Sequence, residues 1–344
     1  DPITNPTLPA PLELHPDFTR LGPSLRRVTL PVFLVVLALL FALSRVPAMA
    51  REKLRARVAA LAAKLGRAVA LVAALAVVAS SYPVVFLGKS FVSPNFGTVL
   101  LYEAFPTLPG YRDAHLEAVK SADVGALMWA HIPLSVLESR ALFRDHELPL
   151  WNRYNSTGTQ LIGQGQSMFG DPLHFLVLAA GGAAWAWDIK FLLAKWALAA
   201  GIGLCVLRTT RHLPAAVIVA AVMPFIGYFV YRVNHPAIFS LCYAPWILLC
   251  WIGIVDAKHW RSAAAWVGGL MLANWTEMNS GTVKEAYMSL LTLNAAGAVA
   301  LLVAALPPFE RVRRFALAAA GGAIFALLAA PVWLTFLDAL AKSY

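Results

Sequence analysis

Asp123 opens the stretch SADVGALMWAHIPLSVLESRALFRD (121–145), in which Val124, Leu127, Met128, Ile132, Leu134, Leu137, Leu142 and Phe143 recur near helical spacing. A carboxylate there has two uses. It can act as a general base if its surroundings raise its pKa and a proton donor lies within reach. It can also cap the helix together with Ser121, and on spacing alone the cap is favoured.

A second group lies in ELPLWNRYNSTGTQLIGQGQSMFGDPLHF (147–175), where Trp151, Tyr154 and Phe169 stand beside Asn152, Asn155, Gln160, Gln164 and Gln166. Flat apolar rings next to amide donors and acceptors suit a sugar, whose C–H faces and hydroxyls they match. The same composition suits an amide-rich loop packed on helix ends, with the aromatics as an interfacial belt. Both readings stand on composition.

A third group is charged. Lys190 and Lys195 fall within an apolar run, Arg232 and His235 at one turn, and Glu277, Lys284 and Glu285 at another. Lys190 is placed to snorkel to the membrane surface. Lys195, deeper in its run, is the better candidate for an inward cation that meets a phosphate. For Glu277, pairing with Arg232 or Lys284 competes with a direct role at a site.

The elements that must position these residues are set by composition. Of 344 residues 60% are apolar and 13% charged, with a net charge of +10; soluble domains carry about 25% charged residues. Eleven Trp and eighteen Phe exclude a disordered chain. Cys205, Cys242 and Cys250 lie in apolar runs without metal-ligand spacing and read as small hydrophobes. The basic residues do not line one face, which argues against nucleic acid. P-loop, dinucleotide and HExxH zinc motifs are absent.

Apolar runs near the length of a spanning helix occur at about 28–48, 68–88, 189–207, 214–231, 236–255, 262–276, 286–306 and 315–338. The shorter run 172–187 reads as interfacial or re-entrant. Lys and Arg cluster at 45–67, at Arg208/Arg211, at Lys258/Arg261 and at Arg311/Arg313/Arg314, and these four segments fall on one side if 172–187 does not span. By the positive-inside rule that side is cytoplasmic. The outer side collects the acids, eight of them within 89–171.

The expected architecture is therefore all-α: a polytopic membrane helix bundle with a long outer loop containing amphipathic or interfacial helices. It divides into an outer N-terminal segment (1–27), two membrane helices with a basic cytoplasmic linker (28–88), an outer loop (89–188) and a helix bundle (189–344). The first residue, Asp1, and the ending soon after the last basic loop read as a piece of a longer protein.

The order FLGKSFVSPNFG, then the outer loop through PLWN (149–152) and the Asp171–Pro172 dipeptide, then LCVLRTTRHLPAAVIVAAVMPFIGYFVYRVNHPAIFSLCYAPWILL, resembles the bacterial YfhO-like membrane proteins of the GT-C superfamily of polytopic glycosyltransferases. The resemblance covers about residues 85–255. It implies a GT-C-like fold in the bacterial inner membrane, a sugar donor carried on a polyprenyl phosphate, and transfer, usually inverting, to a hydroxyl of an envelope glycan or lipid at the periplasmic face. An acid in the first outer loop is the expected base, and Asp123 holds that place. The cation expected near the donor phosphate falls by position on Lys195 or Arg232. Trp151, Asn152, Tyr154, Gln160, Gln164, Gln166, His235 and Glu277 become the candidates for contact with sugar or acceptor. Many members use a divalent cation such as Mg or Mn and others do not; the sequence places no second carboxylate beside Asp123. The helix at 28–48 departs from the pattern by putting the catalytic loop after the second span. Two other classes remain open, a transporter or flippase of lipid-linked sugars and a non-catalytic membrane scaffold.

Overall fold

The computed structural model describes residues 62–92, 127–154, 158–163, 167–232 and 235–342. The span expected at 28–48, the basic linker up to residue 61, and Asp123, Gln164 and Gln166 lie outside the described residues.

The chain is mostly helical. In order come α1 (Ala62–Ser80), the short α2 (Tyr82–Phe86), a π-type turn (Leu127–His131) running into α3 (Ile132–Phe143), α4 (His174–Ala179), α5 (Ala184–Thr210), α6 (Leu213–Val222), α7 (Tyr228–Tyr231), α8 (Ala237–Asp256), α9 (Trp260–Met278), α10 (Val283–Val303), α11 (Pro308–Leu328) and α12 (Ala330–Lys342). Two short strands, β1 (Trp151–Asn152) and β2 (Thr159–Gln160), pair as an antiparallel hairpin. Three helices, α5, α8 and α10, are long and apolar enough to cross a membrane, or four spans if the bent pair of α11 and α12 counts as one. The chain is a membrane protein on that ground.

Prolines explain where helices stop short of the expected spans. The run 214–231 is interrupted by a 3-10 turn (Met223–Phe225) and an extended Ile226, because Pro224 supplies no backbone N–H. The run 315–338 is two helices bent by 60°, with Pro331 in the first turn of the second, where a missing N–H is tolerated. The run 68–88 likewise divides at Ser81, next to Pro83.

Packing centres on α5 and α8, which lie against each other, with α1 and α6 beside α5 and with α9 and α10 beside α8. Trp187, Phe191, Leu198, Phe239 and Cys242 form the interior near one end of α5 and α8. Ile247, Trp251, Ile254, Val267 and Leu270 continue it toward the other end. At that second end Arg208 pairs with Asp256 at 3.3 Å and its guanidinium carbon lies 4.5 Å from the Trp266 ring. Arg314 donates to the carbonyls of Val255 and Ala257 at 2.6 and 2.7 Å. The turns carrying Arg208, Lys258 and Arg314 therefore meet at one end of the bundle.

At the first end α3 packs on α4 and α4 on α5. Helix α3 does not bury an apolar stripe as the spacing of 121–145 implies. The fully buried side chains on α3 are Ser135 and Glu138, while Val136 and Phe143 are exposed. The polar face turns inward because the surface it meets is polar: Ser139 Oγ donates to the Leu178 carbonyl at 2.6 Å. Gly182 makes the approach of α3 to the turn between α4 and α5 close. Its φ of +80° admits glycine readily, and a Cβ there would fall 2.7 Å from Val136 Cγ2.

Candidate functional site

Two lysines on α5 organise the site. The helix begins at Ala184, five residues before the apolar run 189–207, so Lys195 lies about 16 Å along it and Lys190 about 9 Å. Five residues of α-helix turn the chain by 500°, which sends the two side chains to different neighbours.

Lys190 is fully buried, so it does not snorkel. Its Nζ pairs with Asp171 Oδ2 at 2.7 Å, lies 3.0 Å from Met168 Sδ and 3.3 Å from His174 Nδ1, and sits 4.4 Å from the Phe239 ring centre. Asp171 is held again from α8 by the Tyr243 hydroxyl, 3.0 Å from Oδ1, and accepts the Leu173 N–H at 3.0 Å. The imidazole of His174 reaches Glu138 Oε2 at 3.3 Å through Nε2. Ser167 Oγ donates to Glu138 Oε1 at 2.5 Å.

The result is a closed chain of polar contacts from α3 through 167–174 to α5 and α8. Burial pushes the Glu138 carboxyl up to about 7, against the opposing pull of the Ser167 hydrogen bond and of Lys190. Burial, then the charge of Lys190 and then that of His131 push His174 well below its usual range, so its ring is neutral at pH 7. Lys190 and Asp171 form the ion pair at the centre of this network, so its charges are compensated internally.

Lys195 is different. Its Nζ donates to Ser80 Oγ at 3.0 Å and Ser81 Oγ at 2.9 Å, and lies 4.9 Å from the Phe229 ring centre. The residue is only 5% exposed. Among the described residues it has no carboxylate partner. Two hydroxyls and a ring solvate an ammonium weakly compared with a counter-ion. This is a site that an anion would complete.

The other expected residues scatter around these two centres. Arg232 is exposed just beyond α7. His235 is half-buried and its Nδ1 accepts the Ala237 N–H at 3.1 Å, a local turn contact. Glu277 is fully buried at the end of α9, and neither carboxylate oxygen has a hydrogen-bond partner; it makes no ion pair with Arg232 or Lys284. Its main polar neighbour is Ser289, short of hydrogen-bond geometry.

Trp151 and Tyr154 are exposed on the hairpin, beside a small hollow of about 30 Å³ that Arg140, Glu147 and Arg153 also line. Gly158, at φ +101°, lets the Trp151 indole lie across the hairpin, since any Cβ there would meet the ring at 2.3 Å. Asn152 Oδ1 accepts the Tyr154 N–H at 3.0 Å and thereby shapes the turn. Gln160 Nε2 donates to the Thr335 carbonyl at 3.4 Å, tying the hairpin to α12. These contacts use part of the amide capacity that the sequence offers to a ligand.

Residue type and spacing do not single out Glu138 or Tyr243, and they mark Asp171 only as part of the Asp171–Pro172 dipeptide. One signal was available: Glu138, Asp171 and Lys190 are charges set in an otherwise apolar neighbourhood, and such groups come in compensating sets. Among the described residues no three His, Cys, Asp or Glu converge as metal ligands. No family model matches the chain, and neither a curated protein nor a solved structure does.

Proposed function

We propose that this chain is a membrane glycosyltransferase of GT-C type, which moves a sugar from a polyprenyl-phosphate donor to an acceptor hydroxyl at the outer, periplasmic face of the bacterial inner membrane. The observation that carries the reading is Lys195: a buried ammonium within a membrane helix, solvated among the described residues by Ser80, Ser81 and the Phe229 ring and by no carboxylate. A phosphate supplies the missing counter-charge. Its lipid tail has an apolar path along α1, whose Leu71 and Leu75 are exposed. The resemblance in 85–255 supplies the rest of the assignment.

In this reading Asp123 takes the proton of the acceptor hydroxyl as its oxygen attacks the anomeric carbon. The bond from that carbon to the phosphate oxygen breaks, and the polyprenyl phosphate leaves as an anion, stabilised by Lys195. Direct displacement inverts the anomeric centre. Trp151 and Tyr154 offer apolar faces to the sugar of donor or acceptor. A divalent cation, Mg or Mn, belongs to the reading only if a second carboxylate stands beside Asp123.

The test uses membranes containing the full chain and a labelled polyprenyl-phosphate sugar. Asp123→Asn is expected to lower transfer by a factor of about 10² to 10⁴ at equal expression. Transfer equal to the wild type removes Asp123 as the base. The two helix breaks, at 223–227 and between α11 and α12, favour a second reading as a transporter of lipid-linked sugars, since discontinuous helices accompany such proteins. Movement of the lipid across vesicles without any transfer, unchanged by Asp123→Asn, would establish that reading instead.

A further inference from the structure

The end of the bundle opposite the two lysines holds a cavity of about 290 Å³ between the first turns of α9 and α11, lined by Trp260, Ala263, Arg313, Arg314, Leu317 and Ala320 together with Glu310 and Ala316. Its polar part is cationic. The guanidinium carbons of Arg313 and Arg261 lie 5.7 and 5.8 Å from the Trp260 ring centre. Arg314 is buried and fixed by its hydrogen bonds to the end of α8.

The acid in the cavity, Glu310, is 3.7 Å from Arg313 and 3.8 Å from Arg314, and so is shared between two cations. The turns around it add Lys258, Arg261 and Arg311, and their other acid, Asp256, is engaged by Arg208. Both α9 and α11 also begin here, adding the partial positive charge of two helix N-termini.

The apolar part has a direction. Arg313, Leu317, Ala320, Ile324 and Leu327 follow one another by four, three, four and three residues, which is one stripe of α11. Arg313, Leu317 and Ala320 line the cavity, and Ile324 and Leu327 continue the stripe as exposed side chains. From Arg313 to Leu327 the stripe runs about 21 Å, enough for an acyl chain within one leaflet. Charge at one end and an exposed apolar stripe below it match a charged amphiphile.

We propose that this cavity binds one anionic phospholipid, with its phosphate between Arg313 and Arg261 over the Trp260 indole and an acyl chain along Leu317, Ile324 and Leu327. The cationic surplus selects an anionic head group over a zwitterionic one, and the stripe selects a lipid over free phosphate. The site is separate from the proposed donor site, because it uses the other ends of the helices.

The experiment is native mass spectrometry of the full chain in detergent with phosphatidylglycerol, phosphatidylcholine or inorganic phosphate. The wild type is expected to retain one phosphatidylglycerol about tenfold more strongly than phosphatidylcholine, and Arg261→Gln/Arg313→Gln to lose that preference. Equal retention of both lipids, or an unchanged preference in the double variant, overturns the proposal. Displacement of the lipid by inorganic phosphate also overturns it, since the site would then be one for anions alone. A crosslink from Ile324 to a second copy that excludes lipid does the same. Should the double variant fail to fold, the wild type decides: brominated phosphatidylglycerol, and not brominated phosphatidylcholine, must quench the fluorescence that Trp260→Phe removes.

Discussion

Two lysines five residues apart on one helix meet opposite electrostatic solutions. Lys190 is enclosed by Asp171, His174, Met168 and the Phe239 ring, and Asp171 is in turn gripped by Tyr243. Lys195 has two serine hydroxyls and the Phe229 ring. A compensated pair of this kind joins elements: it fixes 167–174 between α3, α5 and α8. An ammonium lacking a counter-ion is costly to keep buried unless something charged arrives.

The largest expected effect breaks the pair. Lys190→Met leaves the buried Asp171 carboxyl without its cation, a loss of about 3–5 kcal/mol, visible as a collapse of the thermal transition in detergent. Lys190→Met/Asp171→Asn should recover most of it. A single variant that melts like the wild type would show that the pair does not hold the fold.

Next is the pH dependence of the same network. Glu138 keeps its proton to about 7 when folded, against 4.5 for the free group. The folded state therefore binds more protons in that window, and the stability linked to Glu138 is present below about 4.5 and is lost as pH rises through about 7, by roughly 3 kcal/mol. Glu138→Gln should gain on the wild type between pH 5 and 7.5. His174 acts in the opposite sense: its lowered folded value means that its contribution is lost as pH falls below 6.5. Parallel melting curves for the wild type and Glu138→Gln across this range would contradict the assignment.

The third prediction sharpens the other side. Lys195→Gln should leave the melting temperature unchanged or raised, because it orphans no carboxylate, while sugar transfer falls about 10²-fold in kcat/KM. If it melts as badly as Lys190→Met, the two sites do not differ in kind. The smallest effect is expected for Tyr243→Phe, which removes one of several donors to Asp171 and should cost about 1.5 kcal/mol.

Much of the scaffold was legible because membrane helices are specified locally. The runs containing α5, α8 and α10 show as near-continuous apolar sequence, and the basic turns mark their ends. Breaks were harder to read. Pro224 sits in a 3-10 turn and Pro331 in the first turn of α12, whereas Pro245 lies inside α8 without ending it. The inward polar face of α3 was illegible, since Glu138 is tolerated there only because Ser167 and His174 arrive from some 30 residues away.

The candidate site divides in the same manner. Lys195 was visible as a charge deep in an apolar run, and Trp151 and Tyr154 as aromatics in an amide-rich loop. Lys190 reads by sequence as a snorkelling lysine, and it is Asp171, 2.7 Å away, that makes it a buried ion pair. Sequence alone determined that the chain is helical, enters a membrane and collects its positive charge in short turns, because those properties follow from length, hydropathy and charge along the chain. Only the tertiary structure decided which lysine has a carboxylate partner among the described residues, because a counter-ion is chosen by distance in space: Asp171 reaches Lys190 from 19 residues away and Ser80 reaches Lys195 from 115.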